Sequence, residues 1–139
     1  MKLLGLRLCD HDSNISYWDG TKVHYIKSER IHGIKHHGYN SNVDEWVTDI
    51  EKHIPIDWRN LDGIGLCGDS ERFGVSGDCN WKKIDPLYKD IETVFVDHHF
   101  AHAKSYWMLE DKKIDVVIDG YGDFGRSYSV YEGNKRIDQ

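Results

Sequence analysis

No stretch of this 139-residue chain approaches the ~20 consecutive apolar residues that a membrane-crossing helix needs, so a membrane is not an expected partner. The opening MKLLGLRLCDHD reaches charge too soon to be a signal segment with a cleavage site. There is no basic stripe with interleaved aromatics either. The formal net charge is -6 and the pI is near 5.8, which disfavours nucleic acid as a main partner. Cysteine is scarce and odd in number. Cys9, Cys67 and Cys79 lie far apart, which argues against a disulfide framework and a CxxC zinc site; a reducing cytoplasm is the expected compartment. Low-complexity segments and short-period repeats are also missing.

What is there suits a folded globular chain: 39% hydrophobic residues, 30% charged residues and many aromatics. The length allows one compact domain with a real core, or a piece of something larger.

Residues 2–9, KLLGLRLC, read as a buried strand ended by the turn-forming DHDSN. ISYW and KVHYIKSE read as two further strands, with Asp19-Gly20 as the positive-φ pair of a tight hairpin. NVDEWVTDIEKHI has Val43, Trp46, Val47, Ile50 and Ile54 at helical spacing, closed by Pro55. LDGIGLC is then a strand on the same sheet, since a strand after a helix is the βαβ pattern. Gly68 to Asp90 lacks periodicity and reads as a functional loop or lid. ETVFV is a buried strand, IDVVIDGYGD an apolar strand leading to an acidic glycine turn, and SYSVYEGNK a strand turning at Gly133-Asn134. GLRLCDHDS and DVVIDGYGD are alike in type, each a strand delivering Asp to a turn, which suggests two half-sites facing each other.

The segment FVDHHFAHAKSYW holds three histidines in five positions. If Asp97 caps a helix starting at His98, then His98 and His102 share one face, because four residues at 3.6 per turn return almost to the starting angle. Two imidazoles so placed can share a metal. His99 points about 100° away and is better suited to supporting the ligands or meeting a substrate. Ala101 and Ala103 leave room for a backbone or ligand to approach. Asp119 ends a later strand, and two imidazoles plus a carboxylate suit iron, zinc or manganese; the plainer reading of Asp119 is a turn carboxylate before Gly120.

Two more constellations stand out. His11, Asp12 and Ser13 occupy the turn after the first strand, where such a run binds phosphate and an imidazole can act as a general base, or simply forms an Asx turn. In SERIHGIKHHG, Arg30 and Lys35 are anion-binding types near His36 and His37, although a basic stretch after a strand is more often a solvated surface.

Together these segments resemble the carbamoyltransferase family that tailors nodulation factors and antibiotics, whose amino-terminal domain is similar to the tRNA threonylcarbamoyl-adenosine synthesis ATPase. The resemblance rests on LLGLRLCDHDSNISYWDGTKV, on SERIHGIKHH, on DHHFAHA as the signature HHxAHA, and on VVIDGYGD as the Asp-Gly-x-Gly turn that follows it. It implies an α/β fold of actin-like or hexokinase-like (ribonuclease H-like) type, a mixed sheet with helices. Residues 1–139 would cover the first half-domain and the start of the second.

It also implies a metal, iron in the better-known members with zinc or manganese as alternatives, held by His98, His102, Asp119 and a ligand from a later segment. A separate carboxyl-terminal portion makes carbamoyl-adenylate from ATP and carbamoyl phosphate, and the amino-terminal domain passes the carbamoyl group to a hydroxyl-bearing small-molecule acceptor. His11 and Asp12 would line the intermediate and acceptor pocket, with His11 as general base. Ser13, Arg30, Lys35, His36 and His99 would meet substrate, and Asp119, Gly120 and Gly122 would form the nucleotide turn. Ser28 stands where the family usually has Glu, and Asn14 where it prefers a small residue. Family members run several times longer, so a full reaction is expected to need a downstream portion. Two rival readings are a non-catalytic metal- or nucleotide-binding partner module and a small metal-dependent hydrolase using His98, His102 and Asp119 around an activated water.

Overall fold

The computed structural model describes residues 1–8, 12–39, 43–67, 91–105, 114–119 and 125–138. Strand β1, Leu3–Arg7, alternates as a half-covered strand should: Leu4 and Leu6 are buried, while Gly5 and Arg7 face the other way. Among the described residues its ladder with β2, Asn14–Trp18, ends at the pair Arg7–Asn14, so the expected strand 2–9 stops short there.

The hairpin from β2 to β3, Val23–Lys27, corrects the expected Asp19-Gly20 pair. Only Gly20 has a positive φ, 102°, and residues 19–22 form the connection. Asp19 builds the turn with its side chain, Oδ1 accepting from the N–H groups of Thr21 at 2.8 Å and Lys22 at 2.9 Å. The strand read through Glu29 stops at Lys27. Helix α1, Ser28–His32, replaces its end and is closed by Gly33 in the left-handed region, φ 67°. Ser28 turns inward there and is fully buried, its Oγ 2.9 Å from the Ser13 carbonyl and 2.8 Å from the His37 carbonyl.

Helix α2, Val43–His53, follows the expected pattern, with Trp46, Ile50 and, just past its end, Ile54 buried. These residues join Leu4, Leu6, Ile15, Tyr17, Ile64 and Leu66 in one core cluster. Strand β4, Gly63–Cys67, lies parallel beside β1, and β5, Thr93–Val96, parallel beside β4. The result is an α/β arrangement with a mixed five-stranded sheet in the order β3-β2-β1-β4-β5, in which only β2 runs against the rest. Strand β5 was expected to be buried. Among the described residues it is an edge strand, and Val94 and Phe95 are exposed.

Helix α3, His98–Lys104, packs on a second sheet of β6, Ile114–Ile118, β7, Tyr128–Glu132, and β8, Lys135–Arg136, all antiparallel. Its small core is Ala103, Val117, Tyr131 and Phe100. The expected apolar strand β6 is inverted: Asp115 and Val117 face α3, with Asp115 3.4 Å from Lys104 Nζ, while Ile114, Val116 and Ile118 are exposed among the described residues. No helix among the described residues is long and apolar enough to cross a membrane. The expected loop or lid at 68–90 lies outside the described residues.

Candidate metal centre

Asp97 ends β5 and starts α3. Its Oδ1 accepts the N–H of Phe100 at 2.9 Å, which satisfies a donor that an uncapped helix would leave unpaired. The same oxygen accepts the Tyr131 hydroxyl at 2.9 Å, and Oδ2 stands 3.4 Å from Arg126 Nη1. Burial pushes the Tyr131 phenol up to about 12, and the Asp97 hydrogen bond and charge add to the rise. The cap therefore also ties α3 to β7.

With the helix begun at His98, its imidazole and that of His102 meet on one face, Nε2 to Nε2 at 3.2 Å. Asp119 arrives from the end of β6, its backbone N–H held by the Ser127 carbonyl at 3.0 Å. Its Oδ2 lies 2.8 Å from His98 Nε2 and 3.3 Å from His102 Nε2. Three donors thus converge from two elements, the arrangement that two imidazoles and a carboxylate need to hold iron, zinc or manganese with positions left for a ligand. His98 is 13% exposed and His102 55%, so the open side is on His102. Burial lowers the His98 pKa below its ordinary value, against the pull of Asp119, and favours the neutral ring that a metal requires.

Arg7 completes this corner and was not anticipated. Its Nη1 lies 2.9 Å from His98 Nδ1. A guanidinium only donates, so Nδ1 accepts and Nε2 carries the proton toward Asp119. A metal-bound imidazole carries its hydrogen on the remote nitrogen, so an ion on His98 Nε2 requires Arg7 to turn away from Nδ1, releasing a cation into the space beside it. The signal in the sequence is a lone charge inside the apolar run LLGLRL.

That space is a cleft of about 990 Å³ against the face of the five-stranded sheet away from its core. Gly5, Ser16 and Gly65 form its floor, with Gly5 paired across the ladders to Ser16 on one side and Gly65 on the other. A Cβ on Gly5 would come within 2.6 Å of Ser16 Oγ, so the floor is as low as a sheet allows. Arg7, His98, His102 and Asp119 stand together in the cleft lining, which also includes Asp12 and Lys27. Asp12 holds a left-handed backbone, φ 62°, and its carboxylate is 3.3 Å from Lys27 Nζ and 3.4 Å from His36 Nδ1. Lys27 also pairs with Glu29 at 2.9 Å.

The remaining expected site residues fall elsewhere. Ser13 is fully buried behind the cleft wall: its N–H donates to the His37 carbonyl at 3.1 Å and its Oγ accepts from the Tyr39 N–H at 3.2 Å. His99 is 1% exposed, with Nδ1 2.9 Å from Ser129 Oγ, and is a core residue joining α3 to β7. Arg30 is exposed beside Lys52 in a separate hollow. Lys35 is exposed, and His36 is exposed but reaches Asp12. His11, Gly120 and Gly122 lie outside the described residues.

No protein-family model and no curated protein sequence matches this chain.

Proposed function

We propose that this chain is the amino-terminal portion of a metal- and ATP-dependent O-carbamoyltransferase. The observation that carries the reading is the convergence of His98, His102 and Asp119 at the carboxyl end of a parallel strand, beside a cleft floored by glycine and serine. The order β3-β2-β1-β4-β5 with β2 alone reversed supports the actin-like, ribonuclease H-like half-domain that the motifs suggest. The meander β6-β7-β8 reproduces β1-β2-β3 and supports a second half-domain beginning at Ile114.

His98, His102 and Asp119 would hold the ion, with iron first and zinc or manganese as alternatives. When bound, it supplies Lewis-acid polarisation of an oxygen on the reacting group. Arg7, released from His98 Nδ1, offers a guanidinium to the anionic phosphate of a carbamoyl-adenylate. In the transfer, the acceptor hydroxyl oxygen bonds to the carbamoyl carbon. The bond from that carbon to the adenylate phosphate oxygen breaks, and AMP leaves with the electron pair. The hydroxyl proton goes to a base in the turn after β1, His11 or Asp12; Asp12 lines the cleft with Lys27 Nζ 3.3 Å from its carboxylate. Adenylate formation from ATP and carbamoyl phosphate belongs to a downstream portion.

The test supplies the chain with its downstream half and follows labelled carbamoyl from carbamoyl phosphate to hydroxyl acceptors, with metal content read by elemental mass spectrometry. Transfer that disappears in His98→Ala and His102→Ala together with the metal supports the reading. Metal retained in both variants, or no transfer to any hydroxyl by the metal-loaded protein, ends it.

A further inference from the structure

A second group of metal-type donors lies apart from the cleft, where α1 and the turn after it meet α2. Gly33 and His36 both take left-handed backbone, φ 67° and 57°, and fold residues 33–39 back so that His37 lies over His32. The two rings are stacked, centroids 4.3 Å apart and planes 22° from parallel. Glu45 and Asp49, four apart on α2, present carboxylates to them from one helix face. His32 Nε2 is 3.7 Å from Glu45 Oε1 and 2.8 Å from Asp49 Oδ2, and His37 Nε2 is 3.7 Å from the same Glu45 oxygen.

An ordinary histidine-carboxylate bond accounts for His32 and Asp49, which also accepts the Tyr39 hydroxyl at 2.7 Å. It does not account for His37. That ring is 13% exposed, its Nε2 stands beyond hydrogen-bond reach of Glu45, and its Nδ1 is buried with no partner among the described residues. Both 3.7 Å separations end on one oxygen, wider than a hydrogen bond and close to the about 3.3 Å between neighbouring ligands of a tetrahedral ion with bonds of about 2.0 Å. Two imidazoles and a carboxylate within 4.8 Å of one another form a donor set suited to zinc.

We propose that His32, His37 and Glu45 form a second, structural metal site of zinc type, His32 Nε2 exchanging its hydrogen bond to Asp49 for the ion. The ion fastens the turn after α1 to α2. That turn carries the His37 carbonyl, which receives the Ser13 N–H at 3.1 Å, and Ser13 follows Asp12 of the cleft wall. The site therefore fixes one wall of the cleft without touching what binds there, and it stands independently of the carbamoyl-transfer reading.

The full chain, stripped with a chelator and reloaded with Zn2+ alone, gives the test in a His98→Ala background that disables the other centre. One equivalent of zinc is expected, with a rise of several degrees in melting temperature on loading. Adding His32→Asn or Glu45→Gln should abolish both the equivalent and the rise, and Glu45→Gln, which keeps the side-chain shape, guards against simple misfolding. Zinc binding that survives both substitutions, or no zinc in the His98→Ala chain, overturns the proposal.

Discussion

Replacing Asp97 tests the link between helix start, packing and the proposed metal centre. In Asp97→Ala the Phe100 N–H loses its cap at 2.9 Å, costing about 1 kcal/mol. The Tyr131 hydroxyl, in a side chain only 3% exposed, loses an acceptor at 2.9 Å, costing about 1–2 kcal/mol more. The Arg126 contact at 3.4 Å is about a third exposed and adds only a few tenths. A loss of about 2–3 kcal/mol follows, roughly 8 °C in melting temperature for a chain of this size. His98 is the first helical residue, so fraying there separates it from His102, and metal affinity should fall roughly tenfold. Asn caps a helix as well as Asp and retains a carbonyl for Tyr131, so Asp97→Asn should lose under about 1 kcal/mol and keep its metal. Urea unfolding and metal titration on the two variants decide it. If Asp97→Asn is as damaged as Asp97→Ala, the carboxylate acts through charge and the capping argument is wrong.

Other consequences can be checked separately. The Asp19 carboxyl is held well below the usual carboxylate range, chiefly by the Thr21 hydroxyl, then His24 and the backbone N–H groups of Lys22 and Thr21. Its stabilisation is present above the unfolded pKa and lost as pH falls through the folded one, so Asp19→Asn should lower the urea midpoint at pH 7, with the gap to wild type closing in strong acid. A constant gap across that range would refute the assignment. In the metal-free chain the His98 ring should titrate below its ordinary 6.5 by NMR, because burial dominates; a midpoint above 6.5 would mean that Asp119 dominates instead. Among the described residues a Cβ on Gly65 meets only Val96 Cγ2, at 3.9 Å, so Gly65→Leu should fold and, on the proposed function, retain metal binding while losing carbamoyl transfer by filling the cleft; retained transfer would place that reaction elsewhere. Trp46→Ala, at 1% exposure in the main core, should cost about 3–5 kcal/mol by urea unfolding.

Local pattern carried much of the fold. The spacing of Trp46, Ile50 and Ile54 marked α2, and Asp97 before His98 marked both the start of α3 and the shared face of His98 and His102. Composition misled where two faces compete. In β6, Asp115 turns inward because Lys104 of α3 reaches it, leaving three apolar neighbours exposed, and no count of apolar residues reveals that choice of face. Ser13 has the residue type of a phosphate-binding turn, yet its N–H and Oγ are consumed by the backbone of His37 and Tyr39.

The sequence by itself determined the periodic elements, the i,i+4 histidine pair and the carboxylate at the end of a later strand, because each follows from spacing within one short segment. Only the tertiary structure decided that Asp119 meets that pair, that Arg7 occupies His98 Nδ1, that His99 is a core residue, and that His37 stacks on His32 above Glu45. Each of these joins segments whose relative position depends on strand pairing and packing over long sequence separations, and local periodicity carries no record of either.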